Sequence, residues 1–185
     1  GQTVVSTQQT LLSNLWVASP VEPDAATQIA SELGRDDGMS GVAWTPDGKV
    51  VYTARIRENQ DLWIVNRDGS ENRQLTFNSK SNFSPVVTPD GRLIIFVSTR
   101  AGNPGIWKMD IDGGNPAQLT GTGGSSVEPS LSPDGKWVVY QHVDGDNKST
   151  IRKISIDGAA WIKVENVSLE LGWKVGVILR EPKPG

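Results

Sequence analysis

The chain has 185 residues, 36% of them hydrophobic and 21% charged, and its 18 basic and 21 acidic side chains leave a net charge of −3, a mildly acidic globular composition that excludes a disordered tail. The longest apolar runs, 93–97 and 175–179, reach five residues, far from the roughly 20 of a membrane helix, so no membrane insertion is expected. Absence of cysteine excludes disulfides, thiolate metal sites and Cys nucleophiles, and absence of a basic block leaves no electrostatic footprint for nucleic acid or anionic lipid.

The chain starts at Gly1 with no basic-then-apolar leader, so a processed product or an excised piece is expected. Val4–Thr7 and Asn14-Leu15-Trp16-Val17 read as short strands, and Ala25–Leu33 is the one stretch with the spacing of a helical turn. A strand entered at Ser40 leads to the turn Pro46-Asp47-Gly48, an apolar strand at Val50–Ala54, another at Asp61-Leu62-Trp63-Ile64, the turn Asp68-Gly69 and the triplet Gln74-Leu75-Thr76. The same order returns as Ser84, Pro89-Asp90-Gly91, Leu93–Val97, Gly105-Ile106-Trp107-Lys108, Asp112-Gly113 and Gln118-Leu119-Thr120. It returns again as Glu128, Pro129–Ser132, Pro133-Asp134-Gly135, Lys136–His142, Ser149–Ile156, Asp157-Gly158 and Trp161–Val164. The Pro-Asp-Gly turns lie 43 and 44 residues apart and the Asp-Gly turns 44 and 45, the mark of a repeat architecture. Asn14–Val17 belongs to an earlier, divergent unit, and the tail Asn166–Gly185 has Leu171-Gly172-Trp173 where a Pro-Asp-Gly would fall.

Each unit reads as a meander of short antiparallel strands. In the hairpin turn Pro presets φ, Asp caps backbone N–H groups, and Gly accepts the positive φ that closes the turn. Sustained helical stripes are missing, so helical repeats fail. The second strands, Val50–Ala54, Leu93–Val97 and Trp137–Gln141, are nearly continuous apolar runs, which requires cover on both faces. Four-stranded units of about 40 to 45 residues packed face to face are propeller blades. The expected fold is therefore all-β: a β-propeller of about four four-stranded antiparallel blades at 1–33 plus 166–185, 34–77, 78–121 and 122–165, as a small closed ring or a fragment of a larger one. In a closed ring Ser168–Leu171 would pair beside the N-terminal strands; in a fragment the open blade edges would favour a homodimer.

The segments 44–49, 84–92, 106–113 and 129–136 resemble the WD40-like PD40 repeats of TolB-type β-propellers, and the likeness covers residues 14–164. It is nearest to the propeller parts of bacterial sensor proteins, where they follow a Ser/Thr kinase or a winged-helix regulator domain. Neither companion is encoded here. The resemblance implies an extracytoplasmic or periplasmic sensor domain.

Trp16, Trp63 and Trp107 share one place in successive third strands, as wedges between blades. Burying such a ring contributes on the order of 4 to 6 kcal/mol at most. Trp44 differs, since its counterparts Val87 and Leu131 are aliphatic, and it is a candidate for a channel or pocket. Alignment on the Pro-Asp-Gly turns sets Arg55 level with Ser98 and His142, and Arg57 level with Arg100 and Asp144, at the rim ends of second strands. Arg55, Arg57, Arg100 and His142 together would clamp a carboxylate or phosphate, against the plainer reading that each Arg pairs with an acidic residue of its own or the next blade. Ser40, Ser84 and Glu128 open the inner strands and are candidates to face the central channel.

Asp144-Gly145-Asp146 and Asp110-Ile111-Asp112 imitate the start of a calcium loop but lack its later ligands, so no metal and no cofactor is expected. One His, no Cys and no nucleophile motif leave only a Ser–His142–Asp arrangement for catalysis. The reading is a non-enzymatic recognition propeller that binds a small molecule, peptide or protein on one rim. The alternatives are a propeller hydrolase or lyase using channel carboxylates or His142, and a structural fragment of a larger sensor.

Overall fold

The computed structural model describes residues 13–19, 21, 23–30, 35–77, 80–158 and 161–164. The expected strand at Val4–Thr7, the tail after residue 164 and the latch at Ser168–Leu171 lie outside the described residues. Strands β1 (Leu15–Val17) and β2 (Thr27–Ala30) pair as sheet 1, with a 3₁₀ turn at Pro23–Ala25 between them. Sheet 2 holds β3 (Arg35–Trp44), β4 (Val50–Ile56), β5 (Asn59–Val65) and β6 (Arg73–Gln74). Sheet 3 holds β7 (Asn82–Val87), β8 (Leu93–Ser98), β9 (Gly105–Asp110) and β10 (Ala117–Gln118). Sheet 4 holds β11 (Ser125–Leu131), β12 (Trp137–Val143), β13 (Ser149–Ser155) and β14 (Trp161–Lys163). In sheets 2 to 4 the strands follow chain order, all antiparallel. Among the described residues the sheets pack one on the next and do not close into a ring. The helical turn expected within Ala25–Leu33 is instead strand β2 over Thr27–Ala30, because pairing with β1 directs Ile29 and Ala30 into the core shared with sheet 2.

The repeated turns follow from their residues. The hydroxyls of Thr45, Thr88 and Ser132 accept the N–H groups of Lys49, Leu93 and Trp137 at 2.8, 3.0 and 3.0 Å and donate to Asp47, Asp90 and Asp134. Gly135 has φ +69°, and a Cβ there would lie 2.9 Å from Cδ of Pro89. The turn of sheet 4 thus rests on the proline of sheet 3, so glycine and proline of the motif serve packing between units as well as the turn.

Three apolar cores lie between successive sheets. Tyr52, Val50 and Ala54 of β4 meet Ile29 and Ala30 of sheet 1, with Trp63 beside them. Val51, Leu62 and Ile64 of sheet 2 meet Ile94, Phe96 and Met109 of sheet 3, with Trp107 beside them. Ile95, Val97 and Ile106 of sheet 3 meet Val138, Tyr140 and Ile154 of sheet 4. Trp63 and Trp107 each turn toward the preceding sheet, while Trp16 is 58% exposed. Strand β8 is buried on both faces, as its apolar run requires. Strand β12 alternates instead: Val138, Tyr140 and His142 are buried, and Trp137, Val139 and Gln141 are half exposed, because no further described sheet covers that face.

Candidate functional site

One rim gathers the starts of the first strands, the ends of the second strands and the connections into the third. Register defines the equivalent positions. Trp44, Val87 and Leu131 pair with Val50, Ile94 and Val138, so Ala54, Ser98 and His142 are level with one another. Across the sheets, Asp37, Asn82 and Ser126 pair with these three from the first strand, and Asp61, Gly105 and Thr150 from the third.

The alignment on Pro-Asp-Gly turns is therefore off by one residue in sheet 2. The hydroxyl of Thr45 meets the N–H four residues on, where Thr88 and Ser132 meet the one five residues on. One residue fewer moves every later side chain to the other face. Arg55 is exposed and level with Thr99, while Ser98 and His142 are buried. Arg57 is exposed in the two-residue turn between β4 and β5, at φ +58°. Among the described residues, Arg55, Arg57, Arg100 and His142 form no hydrogen bond or ion pair with one another; they belong to three sheets.

At the boundary of sheets 1 and 2, Arg35 and Asp37 are buried. The Nε of Arg35 donates to Asp37 at 2.6 Å, one Nη donates to the Tyr52 hydroxyl at 3.1 Å, and the guanidinium lies 4.4 Å from the Trp63 ring centre. At the boundary of sheets 2 and 3, Asn82, fully buried, is the hub. Its amide donates to Asp61 at 3.1 Å and to the Thr76 hydroxyl at 3.2 Å, and its carbonyl accepts from Arg100 at 3.0 Å. Asp61 also accepts from Thr76 at 2.7 Å and Gln74 at 3.1 Å. Arg100 donates to Ser98 at 2.9 Å and lies 4.7 Å from the Trp107 ring centre and 5.4 Å from that of Phe96. Burial raises the Asp61 carboxyl above its usual range, opposed by the bonds from Thr76, Asn82 and Gln74 and by the charge of Arg100. Burial likewise lowers the Arg100 guanidinium, opposed by Asp61.

At the boundary of sheets 3 and 4 the same rim opens into a cleft of about 200 Å³, lined by Thr120, Ser126, Tyr140, His142 and Arg152 with Gly121 and Gly123. Ser126 Oγ and His142 Nδ1 are 3.0 Å apart. Burial and the Arg152 charge hold His142 below its usual value, with Asp144 acting in the other direction. Burial raises the Tyr140 hydroxyl, opposed by Arg152. A larger hollow of about 750 Å³ opens at the opposite rim, beside Asp90, Arg92, Asp110, Asp134 and Lys136. Its carboxylates are committed to their own turns: Thr88 and then Arg92 hold Asp90 down to about 2, and Ser132 lowers Asp134. The first rim is the better site because its polar groups are held between sheets.

Ser84 and Glu128 lie inside β7 and β11 rather than at their starts, at β-bulges with φ +51° and +54°. The level position in β3 is Gly41, at φ +132°, five residues before Pro46 as Ser84 and Glu128 are five before Pro89 and Pro133, and not Ser40, which is six before. Glu128 is exposed and Ser84 half exposed. The Ser40 N–H donates to Thr53 Oγ1 at 3.1 Å. Trp44 is 55% exposed, and its counterparts Val87 and Leu131 pack into the cores facing the preceding sheet. It thus stands in an inter-sheet position. Asp144 and Asp112 spend a carboxylate oxygen on the N–H groups of their own turns, and among the described residues no three His, Cys, Asp or Glu gather as metal ligands.

Arg35, Asp61, Asn82, Ser126 and Arg152 are rim residues that the sequence reading passed over. Two of them carried a signal: the third-strand motif reads Asp61-Leu62-Trp63, Gly105-Ile106-Trp107 and then Thr150-Ile151-Arg152, so both its acidic and its aromatic positions change along the chain.

The family model for PD40, the TolB beta propeller domain, matches residues 17–170. A protein TolB homolog of Chlorobium luteolum is 35% identical over 69 residues, which are 37% of this chain and 16% of that protein. The crystal structure of TolB from Acinetobacter baumannii superposes with a TM-score of 0.64 at 24% identity, covering 75% of this chain and 34% of that one. Dipeptidyl peptidase 4 of Porphyromonas gingivalis superposes with a TM-score of 0.64 at 14% identity, covering 82% of this chain and 23% of that one. The chain thus spans between 16% and 34% of each of these three proteins, and the two structural likenesses are of fold.

Proposed function

From a chain that belongs to the TolB β-propeller domain family, we propose a non-enzymatic recognition module that binds a peptide, protein or small molecule at the rim where second strands end. The observation that carries this reading is the rim cleft between sheets 3 and 4, where hydroxyl, imidazole and guanidinium groups converge from strands already fixed by inter-sheet cores. Groups held on rigid strands are preorganised, so little ordering free energy is lost on binding.

The contact of Ser126 with His142 favours a second reading, a hydrolase. Two observations weigh against it. Ser126 is 1% exposed, and the nearby Asp144 directs a carboxylate oxygen to the N–H groups of Asp146 and Lys148. A nucleophile must reach its substrate, and a triad needs its acid on the imidazole.

The test is incubation of the chain with a synthetic peptide mixture, followed by mass spectrometry of retained and free material. Retention of peptides with unchanged mass is expected. New cleavage products that vanish in Ser126→Ala would establish the hydrolase, and neither retention nor cleavage would leave only a structural fragment.

A further inference from the structure

Sheets 2 and 3 offer the same three apolar positions to the sheet that follows. In sheet 2 these are Val51, Leu62 and Leu75, in sheet 3 Ile95, Ile106 and Leu119, and all six are buried in the cores between sheets. Register carries the positions into sheet 4. Val139 is level with Val51 and Ile95, and Ile151 with Leu62 and Ile106. The N–H of Val164 donates to the Ile151 carbonyl at 2.9 Å, as that of Leu75 does to Leu62 at 2.7 Å and that of Leu119 to Ile106 at 2.8 Å. Sheet 4 therefore presents the apolar half of an inter-sheet core, and among the described residues no sheet rests on it. Val139, Ile151, Val164 and Trp137 are half exposed, and Ile162 on the same face is 48% exposed. A face built for water would carry polar residues at these places.

The cation of this face is left over in the same way. Lys108 reaches from sheet 3 to sheet 4, where its Nζ donates to the Ile156 carbonyl at 2.8 Å. Lys153 is level with Lys108, and its Nζ lies over the Trp137 ring of its own sheet, 4.7 Å from the centre.

The complementary half stands at the other end of the stack. Trp16 pairs with Gln28 as Trp63 pairs with Gln74 and Trp107 with Gln118. Trp63 and Trp107 are wedged into the cores they share with the preceding sheets. Leu15 and Val17 pack toward sheet 2, so Trp16 between them points the other way, and it is 58% exposed. Among the described residues an apolar face without its wedge thus stands at one end of the stack, and a wedge without its face at the other.

We propose that a second copy of this chain docks head-to-tail, Trp16 of one copy wedging against Val139, Ile151 and Val164 of the other. The contact continues an interface that the chain already makes between its own successive sheets. It goes beyond a homodimer through open blade edges by fixing which faces meet: a tail-to-tail pair would set two Lys153 ammonium groups on one interface, whereas unlike faces avoid this. A contact between unlike faces closes into a ring or propagates. Four sheets from each of two copies make eight, within the range of known propellers, so closure by two copies is expected. At concentrations that keep the chain monomeric the sheet 4 face stays open to water.

The experiment is sedimentation equilibrium of the full chain over a wide concentration range. A dimer that forms as concentration rises is expected. Trp16→Ala and Ile162→Glu, each with an unchanged circular dichroism spectrum, should weaken association at least about tenfold. Lys153→Glu is the second variant of the sheet 4 face should Ile162→Glu fail to fold. An equimolar mixture of the Trp16 variant and the sheet 4 variant should associate more tightly than either alone, because the intact wedge of one meets the intact face of the other. Species larger than a dimer that the same variants abolish would support the contact and show that it propagates. A monomer at every concentration would overturn the proposal. So would a dimer that survives Trp16→Ala but not Ile162→Glu, which is tail-to-tail pairing, or one that neither variant affects. The recognition reading rests on the rim and is unaffected by any of these results.

Discussion

The boundary between sheets 2 and 3 and the boundary between sheets 3 and 4 rest on the same strands in the same register, with Phe96 level with Tyr140 and Asn82 level with Ser126. Their apolar halves are alike, as Phe96 and Met109 on one side and Tyr140 and Ile154 on the other show. Their rim ends differ: one is closed by the Asp61–Asn82–Arg100 network and the other is an open cleft. The difference teaches that the repeat secures stability through its apolar positions and leaves the rim positions free to change. The boundary with the open cleft does not collapse, because the core beneath still holds the sheets together.

The largest expected effect tests the shared half. Phe96→Ala deletes a fully buried ring and should lower stability by about 3 to 5 kcal/mol in urea denaturation. Val139→Ala, on the half-exposed face of β12, should cost less than about 1 kcal/mol. Equal costs would mean that the last sheet is covered as fully as the middle one.

At the rim, Asn82→Ala leaves Asp61 and Arg100 without their bridge and should cost about 1 to 3 kcal/mol. Ser126→Ala at the level position breaks one contact to His142 and should cost about 1 kcal/mol or less. The comparison fails if Ser126→Ala is the more damaging of the two in the same denaturation assay.

Protonation separates the boundaries again. His142 is held below its usual value by burial first and then by Arg152, while Asp144 opposes. The unfolded chain takes up a proton near pH 6.5 that the folded chain refuses, so this stability is complete above that pH and is lost as pH falls toward the depressed folded value. Urea melts at about pH 7.5 and about pH 5.5 should show a smaller loss for His142→Gln than for the parent chain. An identical loss would place the titrating group elsewhere.

The smallest effect belongs to the opposite rim. Arg92 and Asp90 form an exposed pair at 2.8 Å. Arg92→Ala should change stability by about 0.5 kcal/mol or less, and that change should disappear in high salt.

Much of the fold was legible because the repeat reports the physics three times over. Pro-Asp-Gly marks the hairpin between first and second strands, the tryptophans mark the third, and the apolar runs mark strands with two covered faces. What escaped was register. One residue fewer after Gly48 leaves the motif intact to the eye, yet it turns Arg55 outward and puts Ala54 in line with His142. Ser40 is out of line for a simpler reason: it lies six residues before Pro46, where Ser84 and Glu128 lie five before Pro89 and Pro133. The rim network escaped for another reason: Asn82 and Asp61 become partners only when two sheets stack, and no spacing within one unit encodes that contact. Thr27–Ala30 was read as part of a helical turn because its strand identity comes from pairing with β1 and cover by sheet 2, both tertiary effects.

The most direct test of the rim cleft is an NMR titration of the isotopically labelled chain with a peptide that it retains. The expected result is that shift changes gather on Thr120, Ser126, His142 and Arg152, while Asp61, Asn82 and Arg100 stay silent. Shift changes centred on Asn82 and Arg100, or on Asp90 and Asp134 at the other rim, would contradict it.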